Sequence, residues 1–185
     1  MPARSRSTTY AALLRGINLG AHNRIAMADL RALVEGLGAE DVQSYVQSGN
    51  VVLRSSETAA VLARRIESAV SRSLGLEVTV VVRTGRRLAR IVAANPFAGP
   101  EVAPTALHVA FLASRPAPAA VAELARRDFG QDRFEVAGED VYLLYPGGAG
   151  RTKLSNTALE RHLGVRATMR NWRTVTALAE LAGVG

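Results

Sequence analysis

Apolar and polar positions follow the same order twice along this chain. Tyr10-Ala-Ala-Leu-Leu-Arg-Gly-Ile17 opens on an apolar run that predicts a strand. Over 27–37, Met27, Leu30, Leu33, Val34 and Leu37 recur at helical spacing, and Gly38 supplies a stop. Val42–Val46 and Val51–Arg54 are β-rich on either side of Ser48-Gly49-Asn50, which predicts a hairpin. Val61, Leu62, Ile66, Ala69, Val70 and Leu74 lie on one stripe of a helix over 57–74, and alternation through Val78, Val80 and Val82 predicts a strand over 77–83. The first half therefore reads β-α-β-β-α-β.

A short helix over 86–94 ends at Asn95-Pro96, because the residue before proline is pushed out of helical backbone. Residues 95–104 hold three prolines and a glycine and read as a linker. The order then repeats. A strand is expected over 107–113, a helix over 118–129, a hairpin of 133–136 and 141–145 about Gly138-Glu139-Asp140, a helix over 154–163 and a strand over 165–169. A last helix is expected over 172–182, with Asn171 as its N-cap. The expected fold is α+β, made of two tandem ferredoxin-like β-α-β-β-α-β units plus a C-terminal helix. The units are placed at 1–98 and 99–185, each with an antiparallel sheet carrying helices on one face. A unit of only about 80 residues has a marginal core of its own. The two are therefore expected to pack together, with a cleft at their seam.

Composition agrees with a packed interior, since 48% of residues are apolar and 21% charged. Aromatics are only 5%, so Leu, Val and Ala must fill the core. The absence of cysteine excludes disulfides, thiolate metal sites and cysteine nucleophiles. Met1–Tyr10 is polar and basic, unlike a signal peptide, and no apolar run reaches membrane-spanning length. The expectation is a cytoplasmic protein that does not engage a membrane.

Charge adds a partner class. The net charge is +7, and residues 151–175 carry six basic residues against Glu160 alone. Such a cluster attracts phosphates, nucleic acid or an acidic ligand. The chain has 22 arginines and a single lysine, Lys153. A compact, flexible ammonium kept where every other cation is arginine marks Lys153 as a binding candidate and as the one candidate catalytic residue. The loop Tyr145-Pro-Gly-Gly-Ala-Gly-Arg151-Thr-Lys153 leaves a strand and enters a helix, as a phosphate-cradling loop does. It lacks the G-x-x-x-x-G-K-[ST] pattern, which argues against P-loop nucleotide hydrolysis. What remains is a generic anion site of helix-start N–H groups beside Arg151, Lys153, Ser155 and Asn156.

Three other segments carry candidate chemistry. The loop after the first strand, Arg15 to Arg24, offers Arg15, Asn18, His22 and Asn23 as ligand-binding groups, with Asn18 and Asn23 equally suited to left-handed turn positions. The hairpin tip offers Gln47, Ser48 and Asn50, which join the same cluster if the tip abuts that loop. Arg170-Asn171-Trp172 offers a cation, an amide and either a core anchor or a flat stacking surface. No histidines stand at metal spacing, and neither a metal nor a cofactor is expected. Tyr142 and Tyr145 are three apart and point to opposite faces of their strand, which argues against base stacking on the sheet.

Ala12-Leu-Leu-Arg-Gly-Ile-Asn-Leu-Gly20, His22-Asn23, Gln47-Ser-Gly-Asn-Val51, Asn95-Pro-Phe97, Lys153-Leu-Ser-Asn156 and Arg170-Asn-Trp-Arg-Thr-Val175 resemble the motifs of the bacterial family catalogued as domain of unknown function 1697. The resemblance runs from about Tyr10 to the end of the chain. It implies a soluble bacterial protein of two ferredoxin-like halves and brings no activity with it. The chain departs from the family's usual pattern at Ala21, Arg24 and Ala26. The function read from the residues is binding of a phosphate-bearing ligand, a nucleic acid or a nucleotide-like molecule, at the seam where these segments converge. The alternatives are an enzyme acting on a small anionic substrate with Lys153 as base or nucleophile, and a protein-interaction module without a ligand.

Overall fold

The computed structural model describes residues 7–183. Their contacts divide them into two units: residues 7–89 together with 178–183, and residues 90–177.

The first unit contains β1 (Thr8–Leu14), α1 (Met27–Glu35), β2 (Glu40–Tyr45), β3 (Asn50–Ser55), α2 (Ala59–Leu74), β4 (Val80–Thr84) and the start of α3 (Gly85–Ala93). The strands form one antiparallel sheet in the order β2-β3-β1-β4. Side chains two apart share a face, so Tyr10, Ala12 and Leu14 join Val51, Leu53, Val80 and Val82 against α1 and α2. Met27, Leu30 and Val34 come from α1, and Leu62, Ile66 and Val70 from α2. Ala11 and Leu13 on the other face of β1 are also fully buried, which explains its unbroken apolar run. The outer strand β2 is interrupted by a register shift between Glu40 and Gln43, with Asp41 at φ 51°. A bulge and charges of this kind make a sheet edge unattractive to other chains.

The second unit contains β5 (Leu107–Leu112), α4 (Pro118–Ala125), β6 (Arg133–Ala137), β7 (Asp140–Leu144), α5 (Asn156–Leu163), β8 (Ala167–Asn171) and the start of α6 (Trp172–Gly183). Its antiparallel sheet has the order β6-β7-β5-β8, the same arrangement as the first. Ala110, Leu112, Val141, Leu143, Tyr145 and Ala167 meet Leu124, Leu154, Leu159 and Leu163 in its core. The equivalence extends to single hydrogen bonds. Leu14 N donates to Gly49 O and Arg15 N to Thr79 O, each at 2.9 Å. In the second unit Leu112 N donates to Glu139 O and Ala113 N to Arg166 O, each at 2.8 Å.

Most boundaries shift by a few residues from the sequence reading, and three of the shifts have local reasons. The helix expected over 118–129 ends at Ala125, and Asp128 Oδ1 instead accepts from Gly130 N at 2.8 Å in a turn. The helix expected from Leu154 starts at Asn156, because Ser155 Oγ caps it by accepting from Ala158 N at 3.2 Å. The last strand lies two residues later than expected, with Ala167 N bonded to the Glu160 carboxylate at 2.9 Å. Asn171 does cap the final helix, its Oδ1 accepting from Thr174 N at 2.9 Å.

Candidate functional site

In the first unit the chain leaves β1 into the loop that begins at Arg15, and the β2–β3 hairpin tip stands at the same end of the sheet. The loop and the tip interlock. A Cβ on Gly49, at φ 76°, would lie 2.6 Å from Ile17 Cδ1 and 3.0 Å from Leu14 Cβ, so only glycine lets the tip close onto the loop. Asn18 sits at φ 55° and joins three backbone groups: its Oδ1 accepts from Ile25 N at 2.9 Å, and its Nδ2 donates to Ile25 O at 3.0 Å and to Gln47 O at 2.6 Å. Both amide hydrogens are thereby engaged. Asn23, at φ 52°, donates from Nδ2 to Gly16 O at 3.5 Å. Asn50 is fully buried and donates to Tyr45 O at 3.1 Å and Ser48 Oγ at 2.9 Å.

Of the seven candidates here, Asn18, Asn23, Ser48 and Asn50 thus hold the loops in shape. Arg15 is half-buried, while His22 and Gln47 are exposed. Replacing Asn18 by alanine should cost about 2–3 kcal/mol in urea unfolding, since hydrogen bonds are worth roughly 1 kcal/mol each and alanine resists left-handed backbone. Asn18→Gly, which tolerates that backbone, should recover part of the loss. Equal values for the two variants would show that the backbone position contributes nothing.

In the second unit β7 and β8 flank β5 and run antiparallel to it, so both finish at the end where β5 begins. The turn carrying Arg151 and Lys153 and the junction carrying Arg170, Asn171 and Trp172 leave from that end. Tyr145 fastens the turn. It is fully buried, its hydroxyl donates to Leu154 O at 2.7 Å, and it lies 3.6 Å from Met169 Sδ. Burial, with the Asp132 charge as a lesser cause, pushes its phenol above the ordinary range and keeps it a donor. Thr152 adds a second fastening: its hydroxyl donates to the Asp132 carboxylate and accepts from Leu154 N at 2.8 Å. Arg151 and Lys153 project from this pinned turn as exposed side chains, with no ion pair for either among the described residues.

The other candidates of this unit separate by sheet face. Arg170 is opposite Val109 in the ladder, on the face away from α4 and α5, and donates to Thr168 Oγ1 at 2.7 Å and Met169 O at 3.0 Å. Burial lowers it to about 10, which leaves it cationic at neutral pH. Asn171 is opposite His108 on the helix-bearing face and serves as the α6 cap. Ser155 caps α5, and Asn156 Nδ2 donates to Ala167 O at 2.9 Å. Trp172 is half-buried. Tyr142 and Tyr145 are both buried on opposite faces, so neither offers an aromatic platform.

Three buried polar atoms of this unit have no hydrogen-bond partner: His108 Nδ1, Asn95 Nδ2 and Asn156 Oδ1. The His108 ring centre is 5.1 Å from that of Tyr145. Burial lowers the His108 pKa. By sequence His108 is an ordinary strand histidine, and the role of Tyr145 as a latch goes unseen. The available signal is the spacing of Thr152 and Leu154, which suits a hydroxyl-to-backbone turn.

Residues 7–142 match the family described as Protein of unknown function (DUF1697), and the chain belongs to that family. The matched span ends before Lys153 and Trp172. The solved structure of the conserved bacterial protein SP0830 from Streptococcus pneumoniae shares the fold, with a TM-score of 0.73 at 21% identity, covering 96% of this chain and 99% of that one. No curated protein matches the chain. Among the described residues no helix is long and apolar enough to cross a membrane.

Proposed function

We propose that the chain binds a phosphate-bearing ligand, a nucleic acid or a nucleotide-like molecule, through the basic turn of its second unit. The observation that carries this reading is the pair Arg151 and Lys153, exposed and without an ion pair among the described residues, on a turn held by Tyr145, Thr152 and Ser155. Cations carried on a held turn bind an anion at lower entropic cost than cations on a floppy loop. The amino end of α5, next in the chain, adds a favourable dipole. The enzymatic alternative is weaker. The Lys153 side chain stands in solvent, with no enclosing wall among the described residues to hold a small substrate against it.

Retention on heparin and binding of a short labelled oligonucleotide, each over a salt series, test the proposal. Binding should weaken steeply with salt as neutralised phosphates regain their counterions. Lys153→Ala should lower the salt slope by about 0.7, the share of one phosphate contact on a single strand. Lys153→Arg should keep bulk polyanion binding, with only a modest loss for a small phosphate ligand. No retention at low salt removes nucleic acid as the ligand, and a silent Lys153→Ala removes Lys153 from the site.

A further inference from the structure

A second basic surface lies in the first unit, on a helix whose sequence pattern speaks only of packing. On α2, Val61, Arg64, Arg65, Ser68 and Arg72 line an open recess of about 310 Å³, closed on one side by Leu37. At 100° per residue these five positions fall within one roughly 100° arc. Leu62, Ile66, Ala69 and Val70 occupy the opposite, buried side. The arc carries no acid. Glu67, the only acid of α2, turns to the sheet and accepts from Val80 N at 2.8 Å. Glu57, before the helix, pairs with Arg65. Arg64 and Arg72 are exposed and have no partner among the described residues. They stand eight residues apart, roughly 12 Å along the helix, with the Ser68 hydroxyl between them.

We infer that this arginine face of α2 is a contact surface for the phosphate backbone of a nucleic acid. Two unpaired guanidiniums on one line, with a hydroxyl between them, match anionic groups repeated along a strand better than a single phosphate, which needs donors converging on one point. The recess is shallow and its only apolar members, Leu37 and Val61, are half-buried. A lipid surface would require an exposed apolar face to insert, and none is present here. The contact is sequence-independent, because phosphates carry no base identity. It stands on different residues from the Arg151 and Lys153 reading and does not depend on it.

The test compares the wild type, the Arg64→Ala/Arg72→Ala double variant and Lys153→Ala, using anisotropy of a short labelled single-stranded oligonucleotide over a salt series. Both arginines are exposed, so the double variant should keep the wild-type melting curve. The expected result is a roughly tenfold weaker complex at low salt and a slope of log K against log salt shallower by about 1.4, two contacts on a single strand. An unchanged slope in the double variant overturns the inference. If Lys153→Ala alone lowers the slope, the inference fails and the second-unit site stands. If the double variant alone lowers it, the reverse holds. Loss of binding to anionic vesicles, with oligonucleotide binding intact, replaces nucleic acid by a lipid surface and also overturns the inference.

Discussion

Gly85→Ala is expected to lower the melting temperature by roughly 6–12 °C, the equivalent of about 3 kcal/mol in a chain of this size. Gly85 opens α3 directly after β4, where Thr84 Oγ1 accepts from Arg87 N at 3.1 Å. A Cβ there would lie 2.0 Å from Ala182 O and 2.7 Å from Ala182 C. Both atoms are backbone, so no side-chain rotation can relieve the clash. The end of α6 must move away from Gly85, exposing Leu178 and Ala182, which are both buried. Gly183→Ala is the control, because nothing lies within 4 Å of a Cβ there. A scanning-calorimetry transition that Gly85→Ala leaves unmoved would show that the α6 end is not held as described.

Tyr145→Ala should be still more destabilising, by about 3–5 kcal/mol, the range for deleting a buried aromatic side chain. It empties the centre of the second core and releases Leu154 O from its 2.7 Å hydrogen bond. Tyr145→Phe divides the effect into its parts. It keeps the ring against His108 and removes the hydroxyl alone, leaving a buried carbonyl unsatisfied at a cost of about 1–3 kcal/mol. If the pinned turn presents Arg151 and Lys153, Tyr145→Phe should also weaken oligonucleotide binding, although no charge is altered. Urea unfolding and anisotropy on the same sample distinguish the outcomes. Lost stability with unchanged binding would mean that the latch serves the core only.

The order of elements is legible in the sequence because each carries a clear period. The Val51-Val-Leu run in β3 and the Leu62, Ile66 and Val70 stripe of α2 could belong to little else. The Ser48-Gly49-Asn50 turn and the Asn171 cap are legible through local chemistry. The candidate site is less so. Asn18 reads as a ligand group because it is polar and in a loop, yet sequence does not disclose that Ile25 and Gln47 take its donors. Arg170 and Asn171 are neighbours in the chain, but strand alternation sends them to opposite faces of the sheet. Gly85 carries no signal, because its role comes from a carbonyl almost a hundred residues away.

That return of α6 to the first unit has a consequence during synthesis. A domain made early can ordinarily fold while the ribosome is still extending the rest of the chain. Here the first unit includes residues 178–183, so it lacks part of its own cover until those residues emerge, whereas residues 90–177 are by then complete. The earlier stretch of the message therefore encodes a surface that only its last stretch completes. A chain stalled anywhere between residues 90 and 177 would present an unfinished surface at Gly85, available to chaperones or to other nascent chains.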